Sequence, residues 1–358
     1  MDSALEISAD RPPLRVGIAG AGRAVFMQHL PAWLALPGKY VVTAVCDLIK
    51  ERRDRMAEHF PKLKAYRRYE DMLDDSDIDL VLVSFPTDMH VASALAALAK
   101  NKWTVVESPL ALTYEQATVL KAAAVKARGK LYACLPGYYA PEFRLARMAL
   151  GDERLGDVYE VVVRRQDYVR RDDWQSIKRC GGGAVWYEGP EAVQQAITLM
   201  GGAPAQLWSE LKRVASLGDA EDTMHLALKG RGAVSAYVDV GGGRLDATLP
   251  AFEVRGSRGA FAVMPGAQSG VLRAIDPDFK FPRRRSSVRT PEIVDLHEQL
   301  PVREFPFALP DDDTAAVGYW KALYESITKA LPFAPALEDA VETVRYLQVV
   351  KQASPFAK

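Results

Sequence analysis

The sequence has little with which to build disulfides or sulfur-ligated metal sites, and nothing long enough to span a bilayer. Its three cysteines, Cys46, Cys134 and Cys180, are odd in number and far apart, so neither a disulfide framework nor a paired-cysteine metal site is visible, and a reducing cytoplasm is the expected compartment. Net charge is absent: Lys+Arg and Asp+Glu both number 46. A balanced chain has no electrostatic pull toward nucleic acid or an anionic membrane, so neither is expected as a partner. No apolar run reaches the ~18–20 residues a spanning helix needs. The best candidate, VASALAALA at 91–99, is rich in alanine and reads as a packed helix. The opening MDSALEISADRPPLR has neither a basic start nor an apolar stretch behind it, so residues 1–12 are expected as a flexible tail rather than a signal peptide. No internal repeat is visible. The cluster RRR at 283–285 lacks the aromatic interleaving of a nucleic-acid surface and is expected in a solvated loop.

What remains is ordinary globular material: 358 residues, 49% of them apolar, enough for two domains with cores of their own. The first third alternates strand and helix signals. LRVGIA (14–19) reads as a buried strand. A helical pattern follows to about Leu36, divided or kinked at Pro31. Strands are expected at Tyr40–Cys46, IDLVLVSF (78–85), WTVVE (103–107) and KLYACL. Helices are expected at IKERRDRMAEHF, HVASALAALAKN and TYEQATVLKAAAVKARG, the last stopped by Gly129. Strands separated by helices imply right-handed crossovers and a parallel sheet. From Val158 onward β-branched, alternating runs dominate, notably 158–163, 224–240 and the pair within AFEVRGSRGAFAVMPG (251–266). They predict a largely antiparallel sheet, with EAVQQAITLMGG (191–202) as one covering helix. Residues 311–353 are expected to be mostly helical, with Pro332 and Pro335 separating two helices.

GIAGAGRAV (17–25) falls where the first strand meets the first helix. Gly20 and Gly22 suit a tight turn and a close approach of backbone to a pyrophosphate, with Arg23 and Ala24 beside them. Val25 stands where a third glycine would complete the pattern, and Ala24 takes part of its packing role. Asp47 closes the next strand. A carboxylate there accepts from ribose hydroxyls and repels a 2′-phosphate, which favours NAD over NADP, although Arg52 and Arg53 one turn on temper that preference. Plainer roles are a tight turn for the glycines and a helix cap for Asp47.

These residues, with several further segments, resemble the Gfo/Idh/MocA family of glucose–fructose oxidoreductase and inositol dehydrogenase relatives. The segments are GIAGAGRA followed by HLPAW, CD at 46–47, SFPTDMH (84–90), VVESPLALT, APEFRLARMALGDERLGDV (140–158) and RRDDWQSIKRCGGGAVWYEGPEAVQQA (170–196). The resemblance implies an α/β protein with an N-terminal Rossmann dinucleotide-binding domain (13–135). It also implies a C-terminal α/β domain (136–358) with a large, mainly antiparallel open sheet, whose last helices are open to packing back on the first domain. Further implications are a small-molecule substrate of sugar or cyclitol type, and a homodimer or homotetramer built through that sheet. Pro86, His90, Glu107 and Ser108 then join Gly20, Gly22, Arg23, Ala24 and Asp47 around the coenzyme. No metal ligand set is indicated.

The departures from the family pattern bear on chemistry. Ser108 stands in place of the lysine of E-K-P. Tyr187, Glu191 and Gln194 stand where the family often has aspartate, histidine and aspartate, and Tyr138 replaces an arginine. Moving a hydride to or from an alcohol also requires a group that handles the hydroxyl proton. His29 and His59 fall on the first two helices, and His225 and His297 elsewhere in the second domain. His90 follows a strand end but is equally suited to packing. The candidates for acid/base work are therefore Tyr187, Glu191 and Tyr138. A phenol would need a nearby cation such as Lys178 or Arg179 to be useful at neutral pH, and Glu191 would need burial to raise its pKa. Trp174, Asp173, Lys178 and Gln194 are expected to shape the substrate pocket, although Asp173 and Trp174 also suit a helix start. Two other outcomes stay open: a redox-neutral lyase or glycosidase that retains NAD, and an inactive NAD-binding sensor or partner subunit.

Overall fold

The computed structural model describes residues 12–245, 248–281 and 299–356. The expected tail falls, save for Pro12, outside the described residues, as do the arginine cluster at 283–285 and His297. Six parallel strands form the first sheet: β1 (Leu14–Ala19), β2 (Tyr40–Cys46), β3 (Lys64–Tyr66), β4 (Leu80–Val83), β5 (Trp103–Val106) and β6 (Leu131–Ala133). Their order is β3-β2-β1-β4-β5-β6. Strands covered on both faces need continuous apolar runs, and LVLV of β4 is buried at every position. The chain reverses direction of sheet growth after β3, so the ends of β1 and β4 diverge and open a crevice, as doubly wound sheets do.

Two elements escaped the sequence pattern. β3 and the short α3 (Tyr69–Leu73) lie within KLKAYRRYEDML, a polar edge segment with no clear alternation. The expected first helix is also different. A π-helical turn, Val25–His29, runs into α1 (Leu30–Leu34), and Pro31 sits in the first turn of α1, where its missing N–H costs nothing. The helices α2 (Lys50–His59), α4 (His90–Ala99) and α5 (Tyr114–Lys126) match the expected pattern. Thr113 caps α5 by accepting from the Gln116 amide at 3.2 Å.

The second sheet holds β7 (Val158–Gln166), β8 (Gln206–Lys212), β9 (Thr223–Lys229), β10 (Ser235–Gly241), β11 (Phe252–Gly256), β12 (Gly259–Val263), β13 (Ser269–Ile275) and β14 (Val302–Ala308). Their order is β14-β13-β12-β11-β7-β10-β9-β8, antiparallel throughout except for β7 against β10. The apolar stretch 224–240 is thus two strands of a hairpin. The helices α6 (Pro141–Leu150), α7 (Ala184–Tyr187) and α8 (Gly189–Met200) contribute to the core on the inner face. Phe143, Leu145, Ala192, Val193 and Phe252 are fully buried there. Burying one such phenylalanine contributes about 1.5–3 kcal/mol.

The last helices join both cores. α9 (Ala315–Lys329) sends Tyr319, Trp320 and Leu323 into the layer beneath β1 and β2, against Val16, Ile18 and Trp33. The Tyr40 hydroxyl donates to the Trp320 carbonyl at 2.6 Å. α10 (Leu337–Gln352) places Val341 and Val344 against the parallel-sheet core and Leu347 and Val350 against the other. Near its end, Lys351 pairs with Glu221, a carboxylate that is 1% exposed. Glu221 lies under the glycine triplet: an added Cβ at Gly183, whose φ is +115°, would meet its carboxylate. Removing one partner of a buried pair strands the other charge. Lys351→Met is therefore expected to lower unfolding free energy by about 3 kcal/mol in urea denaturation, far more than an exposed lysine would.

Candidate active site

Backbone geometry builds the first wall. Gly20 has φ of +96°, and a Cβ there would come within 2.6 Å of the Ser84 carbonyl oxygen, so only glycine lets β1 end against β4. Gly22 faces open space. Beyond it lies a cleft of about 340 Å³ bordered by Ala21, Gly22, Arg23, Phe26, Arg52 and Arg55. Val25 is fully buried, so it fills the third-glycine position as packing, and Ala24 is partly exposed. Asp47 is buried and accepts the Ala21 amide at 2.9 Å and the Ile49 amide at 2.8 Å, with Arg52 at 3.5 Å. The carboxylate thus braces the loop and the start of α2, and each oxygen retains lone pairs for a further donor. Arg53 is turned back onto the Asp47 carbonyl at 2.5 Å. A glycine-bounded cradle, a cleft beside it and a carboxylate at the next strand end fit the adenosine and pyrophosphate of a dinucleotide.

The second wall is formed by the ends of β4 and β5. Pro86 is exposed in the turn after β4. His90 is buried, with Nδ1 2.8 Å from the Pro109 carbonyl and Nε2 2.9 Å from the Phe85 carbonyl. Both nitrogens face carbonyl acceptors, which only the doubly protonated ring can satisfy at once, whereas burial pushes its pKa down; either form ties the loops after β4 and β5 together. Glu107 Oε2 accepts the Ser108 amide at 3.0 Å, and Oε1 lies 2.5 Å from His29 Nε2. Burial pushes the Glu107 carboxyl up, but His29 and the Ser108 amide outweigh it and the net shift is downward. Trp320 Nε1 donates to His29 Nδ1 at 3.1 Å. The Ser108 hydroxyl is buried without a partner, beside Cys134, Pro190 and Thr343.

The third wall comes from α8 and β7. Glu191 Oε1 accepts the Gly137 amide at 2.8 Å. Gln195 donates to the Gly137 carbonyl at 2.6 Å and accepts from Arg165 at 2.5 Å. Burial pushes the Glu191 carboxyl up to about 7, with Glu188 and Glu107 adding to the rise and the Gly137 amide and Arg165 opposing it. Burial also raises Glu188, against the pull of Arg165 and Arg171.

The remaining sequence candidates are less concentrated. Tyr187 lies under the Arg171 guanidinium, 4.4 Å from its ring centre, and burial pushes it up to about 12 despite that cation. The partner is neither Lys178 nor Arg179. Lys178 sits 5.7 Å over the Phe356 ring, and its amide donates to Asp219. Tyr138 packs its ring on Phe143 and under Arg147. Asp173 caps the turn at Trp174 by accepting the Gln175 amide at 2.9 Å, and Trp174 is partly exposed. Gln194 is 4% exposed and donates to Thr198 on its own helix, so the glutamine that reaches the site is its neighbour Gln195. The available signal was spacing: Gln195 lies four residues after Glu191 and shares its helix face. His29, Trp320 and Arg165 carried no comparable signal, since only long-range packing brings them in.

Comparison with known proteins is consistent with this geometry. Residues 14–134 match the oxidoreductase family with an NAD-binding Rossmann fold, and residues 143–262 match the GFO/IDH/MocA C-terminal domain. This chain belongs to the Gfo/Idh/MocA family. It is 30% identical over 194 residues to an uncharacterized oxidoreductase of Schizosaccharomyces pombe, covering 53% of this chain and 52% of that protein. The chain thus spans about half the length of the first curated relatives it matches. It is 21% identical to scyllo-inositol 2-dehydrogenase (NADP(+)) IolW of Bacillus subtilis, over 95% of this chain and 94% of that one. Among solved structures, an aldose-aldose oxidoreductase from Caulobacter crescentus shares the fold with a TM-score of 0.77 and 19% identity, over 97% and 98% of the two chains. Among the described residues, no helix of this family member is long and apolar enough to cross a membrane.

The raised Glu191 carboxyl has a sign in stability. The folded protein holds that proton to about 7, whereas an ordinary glutamate releases it near 4.5. Ionising Glu191 is thus harder in the folded state, and its contribution to stability declines as pH rises through that window. Glu191→Gln should flatten this part of the pH–stability curve, measured by denaturant unfolding at several pH values.

Proposed function

We propose that this Gfo/Idh/MocA protein is an NAD-dependent oxidoreductase acting on a sugar-like or cyclic hydroxy/keto molecule, with Glu191 as its acid/base. The observation that carries the reading is the contrast between two carboxyls. Glu107 is held below the usual carboxylate range while Glu191 is raised to about 7. Groups whose environments push their pKa values apart take different roles in proton transfer. Gly20, Gly22 and Ala21 would hold the pyrophosphate, and Asp47 would accept from the ribose. That carboxylate opposes a 2′-phosphate, which favours NAD. When bound, nicotinamide supplies a hydride acceptor or donor.

Glu191, ionised, would take the hydroxyl proton from an alcohol; protonated, it would return one to a carbonyl. Gln195 and Arg165 fix its surroundings, and the Gly137 amide orients its carboxylate. Trp174, Tyr187 and Arg171 would border the substrate, with Asp173, Lys178, Gln194 and Tyr138 supporting the walls. A redox-neutral reading gains support from Glu188. Its carboxyl is also raised and lies one helical turn before Glu191, a pairing suited to elimination. Loss of the family lysine at Ser108 is compatible with a third role, coenzyme binding without turnover.

The outer face of the second sheet exposes Tyr159, Trp208, Tyr237 and Val271, and it is the proposed homo-oligomer surface. Trp208→Lys should shift the mass measured by light scattering toward the monomer; an unchanged mass would remove Trp208 from that surface.

Sugars and cyclitols should be screened with NAD, following both nicotinamide absorbance and product mass. An oxidoreductase changes absorbance in step with product, a redox-neutral enzyme makes product without it, and a sensor does neither. Glu191→Gln is expected to lose at least about tenfold in turnover with coenzyme binding kept. Oxidation by the parent protein should rise with pH through about 7 as Glu191 ionises. If NADP bound about tenfold more tightly than NAD, the Asp47 argument would fail.

A further inference from the structure

We propose that the cleft beyond Gly22 is a site for a phosphate on the 2′-oxygen of the coenzyme's adenosine ribose, so that the protein accepts NADP beside NAD. Arg52 is the residue that sets this specificity, with Arg23 and Arg55 beside it. The inference rests on the coenzyme reading above and adds to it a group that Asp47 alone would exclude. Its starting point is a local excess of positive charge. Three guanidiniums, those of Arg23, Arg52 and Arg55, border the cleft of about 340 Å³, together with one carboxylate, Glu51. Arg52 also reaches Asp47 at 3.5 Å, so the ribose position and the cleft are adjacent. Asp47 and Glu51 bring two negative charges against the three positive ones. Among the described residues, neither Arg23 nor Arg55 has an ion-pair partner.

Each of the three is available to an incoming anion. Arg55 lies with its guanidinium carbon 4.0 Å over the centre of the Phe26 ring, a stacking that occupies one face of the group and leaves the N–H donors at its edge free. Arg23 is exposed. Arg52 is 47% exposed, and its contact with Asp47 is long for an ion pair, so little free energy holds it there. Arg53 differs from its neighbour: it donates to the Asp47 carbonyl at 2.5 Å and the Leu48 carbonyl at 3.2 Å, and it does not border the cleft. A 2′-phosphate replaces a hydroxyl that would donate to Asp47 and sets its own charge against that carboxylate, which is the source of the preference for NAD. A phosphate monoester carries about −1.5 to −2 at neutral pH. Guanidiniums meet it with charge-assisted donors that match its oxygens in pairs. Their attraction offsets the repulsion and keeps the preference for NAD within about tenfold.

The test begins with the unaltered protein. Calorimetric titration should give a dissociation constant for NADP no more than about tenfold above that for NAD; a larger gap overturns the proposal. In Arg52→Ala the ratio of the NADP constant to the NAD constant should rise at least about tenfold. Arg52→Lys, which keeps the charge and loses the planar fork, should fall between the two. Arg23→Ala and Arg55→Ala should raise the ratio in the same direction. A residue that held the pyrophosphate or braced the loop would weaken both coenzymes alike, so an unchanged ratio in Arg52→Ala overturns the proposal and leaves the coenzyme reading standing. Inorganic phosphate, titrated into protein saturated with NAD, separates the two sources of the anion. No binding at about 1 mM is expected. Binding there that is lost in Arg52→Ala would make the cleft a site for free anions and overturn its assignment to the ribose. Failure of the unaltered protein to bind either coenzyme overturns the coenzyme reading and this proposal together.

Discussion

The hydrogen bond from the Gly137 amide to Glu191 is the constraint on which the candidate chemistry depends. It ties α8, which lies on the second sheet, to the loop that leaves the first sheet after β6. The amide stabilises the ionised carboxylate and so opposes the rise that burial causes. With it, and with Gln195 donating to the carbonyl of the same residue, the carboxyl is held at the meeting of the two cores. Burial then sets its proton affinity near neutrality. Fold and candidate reactivity therefore meet at one residue, Gly137.

Around that point the candidate site is organised by charged side chains. Glu107 and Glu191 are both acidic residues, yet their environments push them in opposite directions. Glu107 has an imidazole and an amide against its oxygens, while Glu191 has one amide and other acids nearby. Arg165 and Arg171 temper Glu188 from β7 and from the segment that follows it. The imidazole that matters sits in the first turn after the phosphate loop, where it serves a carboxylate instead of a substrate. Family membership carries the Rossmann domain and the large sheet.

The C-terminal helices explain how distant residues reach the site. α9 supplies the indole that fixes His29, and α10 joins the two cores and pins the glycine triplet through Lys351 and Glu221. These contacts are buried and close-packed, so the chain end and the candidate site share one continuous interior.

Much of the fold was legible in the sequence. The buried strands LRVGIA and LVLV, the helix stop at Gly129, the glycine turn at Gly20 and the acidic end of β2 are local features. Continuous apolar runs and positive-φ glycines have few other uses. The edge strand β3 was not legible, since a short polar strand lacks alternation. Nor was the replacement of Gln194 by Gln195 at the site, which depends on helix rotation of about 100° per residue. Sequence alone determined the family and the glycine turn and acidic strand end of the first sheet, because these are matters of residue identity and spacing. Tertiary structure decided which acids are raised or lowered. Their proton affinity depends on burial and on partners distant in the chain, as His29 is from Glu107 by 78 residues.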